Sequence, residues 1–266
     1  MFNVLDIRLT KAIPINTQKH DSIITIESIR DFILKVCDNE PEMIRSIINK
    51  KEHSLPHIIY SKPYKNQIRI FSLGDNGRVA LNAIYANVVS KGYIKIKNES
   101  YKIQGVPKIL TDIQTLPTKN GAIHTYTTLT PINIFNKYNH KVFLAIANKH
   151  FEGGKNISGG SPAQKKAFYD EISVYVNTQI KDNIRYLLSS LIPGKTKEDF
   201  VFVDDIKIEW EKIDIIFEKY HTEEKSMPMI IGKFRSNFAL PKFLGYKMGK
   251  GFGEISLKSM YNEGVA

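Results

Sequence analysis

The stretch "GKFRSNFALPKFLGYKMGKGFGEISL" (232–257) concentrates residues that could do chemistry. Between Lys233 and Lys258 it carries Lys233, Arg235, Lys242, Lys247, Lys250 and Lys258, with Glu254 as the opposing acid, and it holds Gly245, Gly249, Gly251 and Gly253. Glycines so close together weaken any helix or strand, since each leaves the unfolded chain more freedom and packs no side chain. A bound anion would offset that loss, because unobstructed backbone N–H groups can form an anion-binding concavity to which Lys247 and Lys250 add charge. The spacing excludes a Walker loop, since no hydroxyl follows a lysine at the required place. No compact strand–turn–helix surrounds it, which excludes a dinucleotide fingerprint. Phe252, between two glycines, either anchors the turn in a core or stacks on a base.

Imidazoles are the other reactive groups. A histidine titrates near neutral pH and so can take or give a proton in a reaction. Of seven, His53 lies in the polar "NKKEHSLPH", beside Lys50 and Lys51, and a solvated surface role is the plain alternative. His57 is the next candidate, although its place inside an apolar strand reads as structural. His20 lies in the loop after the first strand, whereas His124, His140, His150 and His221 read as structural or exposed. Cys37, the single cysteine, reads as a buried thiol, and no Cys/His spacing suggests zinc. Asp204–Asp205 reads as an exposed turn, so no carboxylate cluster points to a metal-dependent nuclease.

The elements that must position these groups follow from periodicity. "NVLDIRLTKAI" (3–13) reads as a strand. "TIESIRDFILKVC" puts Ile26, Ile29, Phe32, Ile33 and Val36 at helical spacing, and "PEMIRSIIN" starts a second helix with Pro41 in its first turn. "HIIYSK" and "QIRIFSL" form a hairpin, "DNGRVALNAIYANVVS" a helix, and "YIKIK" with "YKIQG" the closing strands. The order is β-α-β-β-α-β, the ferredoxin-like unit. "TLPTKNGA" (115–122) marks a boundary. Beyond it come an extended segment through 135, a long helix at 162–191 with an apolar stripe, and two strands, "KIEWEKIDIIFEKY" and "MPMIIGKFRSNFAL". The expected fold is α+β: two tandem ferredoxin-like (RRM-like) domains, 1–118 and 122–266, the second carrying the C-terminal glycine-rich loop.

At 266 residues the chain accommodates two such domains. A net charge of +11 and a pI near 9.4 favour a polyanionic partner, nucleic acid or an anionic membrane surface. No run of apolar residues is long enough to span a bilayer, and the opening "MFNVLDIRLTKAI" lacks the parts of a signal peptide. The expectation is a soluble, cytoplasmic protein.

The C-terminal stretch resembles the signature of the CRISPR-associated endoribonucleases that cut precursor CRISPR RNA within its repeats, and more narrowly their "b" subgroup. Phe234, Asn237, Phe238, Leu240, Pro241, Leu244, Gly245, Gly251, Phe252 and Gly253 follow its order. "LPHIIYSK" (55–62) resembles the subgroup's Tyr-Pro-x-Ile-Gln-Tyr-Lys strand, and "TTLTPINIF" (127–135) its Thr-Pro segment. Lys247 stands where the signature has glycine, and the residues before Pro56 do not repeat the subgroup's His-Asn-His cluster.

The resemblance implies a metal-independent endoribonuclease without cofactor. In it the RNA's 2′-hydroxyl attacks the adjacent phosphate, leaving 2′,3′-cyclic phosphate and 5′-hydroxyl ends. His53 occupies the family's place for the catalytic histidine, Lys51 would contact phosphate, and Tyr60 would orient the scissile nucleotide. Lys233, Arg235, Asn237, Gly245, Lys247, Gly249, Lys250, Gly251, Phe252 and Gly253 would bind RNA. The implied partner is CRISPR repeat RNA, with other effector subunits or a second copy of the chain as further partners. The second reading is a non-cleaving subunit that binds the repeat.

Overall fold

In β1 (Phe2–Arg8), Leu5 and Ile7 alternate with half-buried Asp6 and exposed Arg8 and are fully buried, so one face of this strand belongs to a core. The computed structural model describes residues 2–14, 21–49, 56–113, 116–135, 139–151, 157, 159–219, 226–246, 248 and 252–262. Helix α1 (Asp21–Val36) packs Ile26, Ile29, Phe32 and Ile33 on that core, as their spacing requires. The short α2 (Glu42–Ile48) has Pro41 one position earlier than expected, as an extended N-cap with φ −48° and ψ 145°. Strands β2 (Ile58–Tyr60) and β3 (Gln67–Leu73) form the expected antiparallel hairpin, and α3 (Gly74–Lys91) buries Ala80, Leu81, Ile84 and Val88.

The closing strand differs from expectation. β4 (Tyr93–Ile96) and β5 (Glu99–Lys102) pair with each other as a two-stranded sheet, sending Ile94, Ile96 and Tyr101 into the core while Tyr93 meets Phe32 of α1 at 5.7 Å. β6 (Lys108–Ile113) completes the main sheet instead, in the order β2-β3-β1-β6. It is an edge strand in which residues 108–111, Ile109 and Leu110 among them, are all exposed, without the buried alternation that identifies a strand in sequence.

The second unit repeats the scheme. β7 (Ala122–Thr128), α4 (His140–His150), α5 (Pro162–Leu191), β8 (Ile208–Lys219), β9 (Ser226–Ser236) and β10 (Ile255–Asn262) give a sheet ordered β10-β7-β9-β8. Helix α5 has the expected bounds. Ser161 Oγ accepts from the Gln164 amide at 3.2 Å, Gln164 Oε1 accepts from the Ser161 amide at 2.9 Å, and Pro162 follows the cap. Its stripe from Phe168 to Leu188 is the backbone of the second core. α4 escapes sequence reading because its N-cap, Asn139, makes no capping bond; the side chain donates to Ile134 O and Gln179 Oε1 instead. In β8 the apolar positions change from even numbers to odd, which the structure resolves as a register shift between Trp210 and Lys212.

One element of the scheme is replaced. The first unit has α3 between its third and fourth strands, whereas the described residues between β9 and β10 contain no α-helix. The glycine-bearing segment stands in its place. Two pieces of that segment, Pro241–Phe243 and residues 252–254, group with the first unit, although the whole tail was expected in the second. The first unit otherwise ends at Leu116, and the second starts at Pro117.

Candidate nucleic-acid interface

In the first unit, helices cover one face of the sheet. The opposite face carries buried Val4, Ile59 and Phe71, which lie outside the helix-packed core. Phe243 meets Phe71 edge-on at 5.0 Å, and its backbone bridges to Glu254. Ferredoxin-like sheets that bind single strands stack bases on exposed aromatic rings. Here Phe71 and Phe252 are each 1 % exposed, so neither offers a ring to a base. Phe252 is buried, as the core-anchor reading of its sequence expects, and not placed for the RNA contact that the resemblance implies; Gly253 follows it at φ +80°.

Glu254 is the unexpected centre of this face. Its carboxylate is fully buried and accepts from Ser61 Oγ at 2.6 Å, while Lys242 Nζ stands at 3.2 Å and Arg69 Nη2 at 3.4 Å. The Arg69 guanidinium also lies 6.0 Å from the centre of the Phe71 ring. Burial pushes the Lys242 ammonium below the usual lysine range; Glu254 counteracts that shift, and Arg69 adds to it. Lys62, next to Ser61 in the chain, is lowered by burial too, with Glu254 again opposing. A buried carboxylate needs such partners, because leaving water costs several kcal/mol, roughly, if charge and hydrogen bonds are not replaced. Glu254→Ala should therefore lower stability by about 3 kcal/mol, the lower end for breaking a buried pair, since Arg69 and Lys242 keep some water contact. The check is the urea midpoint; an unmoved midpoint would mean the cluster contributes nothing.

In the second unit the tail is fastened differently. Asn237 accepts from the Lys207 amide at 2.7 Å and donates to Asp205 O at 3.0 Å, so its side chain is a tether for the turn before β8. The Leu240 amide donates to the Tyr126 hydroxyl at 2.8 Å. Gly245 has φ +88°, and a Cβ there would stand 2.6 Å from Asn133 O, so the position accepts no side chain without displacing backbone. Asn237 and Gly245 thus have structural work that the RNA-binding expectation did not include.

Lys233 and Arg235 project from β9, about half exposed, and both pair with Glu211. They hold the Glu211 carboxyl below the usual range, Lys233 having the larger effect. Asn237 also lines an open groove of about 700 Å³ with Lys119, Lys181 and Lys207. Asp204, Asp205 and Glu209 line it too, so its charges nearly cancel and the field on a phosphate is weak.

Tyr60 departs from its expected role. It is 1 % exposed within the first core, its hydroxyl has no hydrogen-bond partner among the described residues, and burial raises its pKa. It presents nothing to a nucleotide, because the strand's buried pattern takes Tyr60 inward along with Ile58. His57 Nδ1 lies 3.4 Å from Leu73 O, a structural placement. His124 is buried with Nε2 2.9 Å from Asn120 Oδ1, His140 stacks on Phe143, and His150 Nε2 is 2.8 Å from Glu171. His20, Lys51, His53, Lys247, Gly249, Lys250, Gly251 and His221 lie outside the described residues.

Sequence reading missed Ser61, Lys62, Arg69 and Lys242 as one cluster. The available signal was Glu254, a solitary acid among cations beside buried-type aromatics.

No protein-family profile matches the chain, and no curated protein matches it. Solved structures do. A crystal structure of Cas6b aligns over 97 % of this chain and 99 % of its own, with a TM-score of 0.60 at 16 % identity. A RAMP protein described as binding different RNA substrates aligns over 97 % and 100 %, with a TM-score of 0.53 at 16 % identity. A second Cas6b, described as a CRISPR RNA processing endoribonuclease, aligns over 97 % and 99 %, with a TM-score of 0.50 at 14 % identity. Identities this low establish a shared fold: the chain is built as the tandem ferredoxin-like proteins of this group are.

Proposed function

We propose that this protein is an endoribonuclease that cuts precursor CRISPR RNA within its repeats. The observation that carries the reading is one of coincidence: the glycine-rich signature of 234–253 occurs in a chain whose fold aligns end to end with Cas6b. The +11 net charge suits an RNA partner.

The proposed reaction moves atoms within the RNA. A base removes the 2′ proton, the 2′-oxygen bonds to the adjacent phosphorus, and the bond from phosphorus to the 5′-oxygen breaks. The departing oxygen takes a proton, so a 2′,3′-cyclic phosphate and a 5′-hydroxyl result, and no water is consumed. His53 is the proposed base. Lys51, with Lys247 and Lys250, is proposed to offset charge as the phosphorane forms, the type of stabilisation that fixed cations give to developing charge. Lys233 and Arg235 are proposed to contact the strand once it competes with Glu211.

Labelled repeat RNA incubated with the protein in EDTA tests this. The expected result is one cut per repeat, with ends that resist a 5′-phosphate-dependent exonuclease and carry the cyclic phosphate. Retardation on a native gel without cutting would instead identify a subunit that only binds the repeat.

A further inference from the structure

We propose that Lys62, Arg69 and Lys242 of the first unit form a binding site for a phosphate of the RNA backbone, with buried Glu254 as the counter-charge that holds them. This rests on the reading of the protein as one that binds RNA.

Two cations, Arg69 and Lys242, contact one carboxylate, and Lys62 follows Ser61, whose hydroxyl donates to that carboxylate. A structural ion pair needs one cation for one acid, and Ser61 already satisfies one oxygen of Glu254. Lys62 and Lys242 are each depressed by burial, and Lys242 is depressed further by Arg69, while Glu254 is the acid acting on both. Arg69 and Lys242 are held at one buried carboxylate in surroundings drier than bulk water, where attraction to an anion is stronger. Access is retained: the side chains of Arg69 and Lys242 are 29 % and 20 % exposed, whereas Glu254 is 0 % exposed. A phosphate approaching from solvent therefore meets the cations and is shielded from the carboxylate. The arrangement also contrasts with Lys233 and Arg235, two half-exposed cations on an acid that is itself 25 % exposed, and with the groove of the second unit, where charges nearly cancel. With Phe71 and Phe252 buried, this face recognises a strand by charge and not by stacking.

The test measures the affinity of the full-length protein for labelled repeat RNA, and for a scrambled single strand of equal length, across a salt series. Lys62→Gln leaves the hydrogen bonds of Glu254 in place; Lys62→Gln/Lys242→Gln removes two cations; Lys95→Gln, on exposed β4 surface, is the control. Each lost phosphate contact should reduce the slope of log affinity against log salt by about 0.7, so the expected losses are about 0.7 and about 1.4, with none for the control. Thermal melting accompanies each variant, and if the double variant is unfolded the single one decides. An unchanged slope in Lys62→Gln overturns this site while leaving RNA binding standing. An equal fall in Lys95→Gln also overturns it, since charge would then act diffusely. Wild-type protein that binds neither RNA overturns both this site and the function proposed above.

Discussion

His53→Ala should slow single-turnover cutting of repeat RNA by about 10²–10⁴-fold, the usual contribution of a positioned general base, with binding to the repeat unchanged. A neutral imidazole accepts the 2′ proton, whereas an imidazolium cannot, so the wild-type rate should rise with pH as the imidazole loses its proton and then level off. The variant should lose that inflection. His57→Ala separates position from chemistry: His57 sits by Leu73 O in a packed part of the hairpin, so its loss should register in stability and leave the pH profile in place. Undiminished cutting by His53→Ala would remove this residue from the mechanism, and a retained inflection would assign the proton to another group.

Replacing the scissile ribose with its 2′-deoxy form should abolish the cut at that site, because the attacking atom itself is missing. The duplicate repeat with the deoxy sugar one nucleotide away should be cut normally. Affinity should stay within about fivefold, since a single hydrogen bond of this kind contributes about 1 kcal/mol in water. A nuclease that used water as nucleophile would cut both substrates. Cutting of the substituted strand at the original bond would therefore exclude internal attack, whatever the fate of His53.

Periodicity made much of the scaffold legible. Helix α5 announced its length through its apolar stripe, and the β2–β3 hairpin and the strands β8 and β9 followed from their apolar runs. These are local signals, set by neighbours a few residues apart. β6 was silent because an edge strand has no buried alternation, and α4 because its capping residue spends its side chain elsewhere. The tail was legible as a glycine-rich, cationic segment, and Gly245 does occupy a place that admits no side chain.

Exposure was not legible. Tyr60 is the type of residue that orients a nucleotide, yet it is interior, since which side of a strand an aromatic takes depends on what packs over it. The role of Glu254 depended on distance in the chain even more. Its partners Ser61 and Arg69 are 193 and 185 residues away, and no local pattern links them. A carboxylate survives out of water where the fold brings cations and a hydroxyl to it. Local spacing therefore specifies helices, strands and glycines, while the burial of a charge is a property of the assembled tertiary structure, because the compensating groups come from elsewhere in the chain.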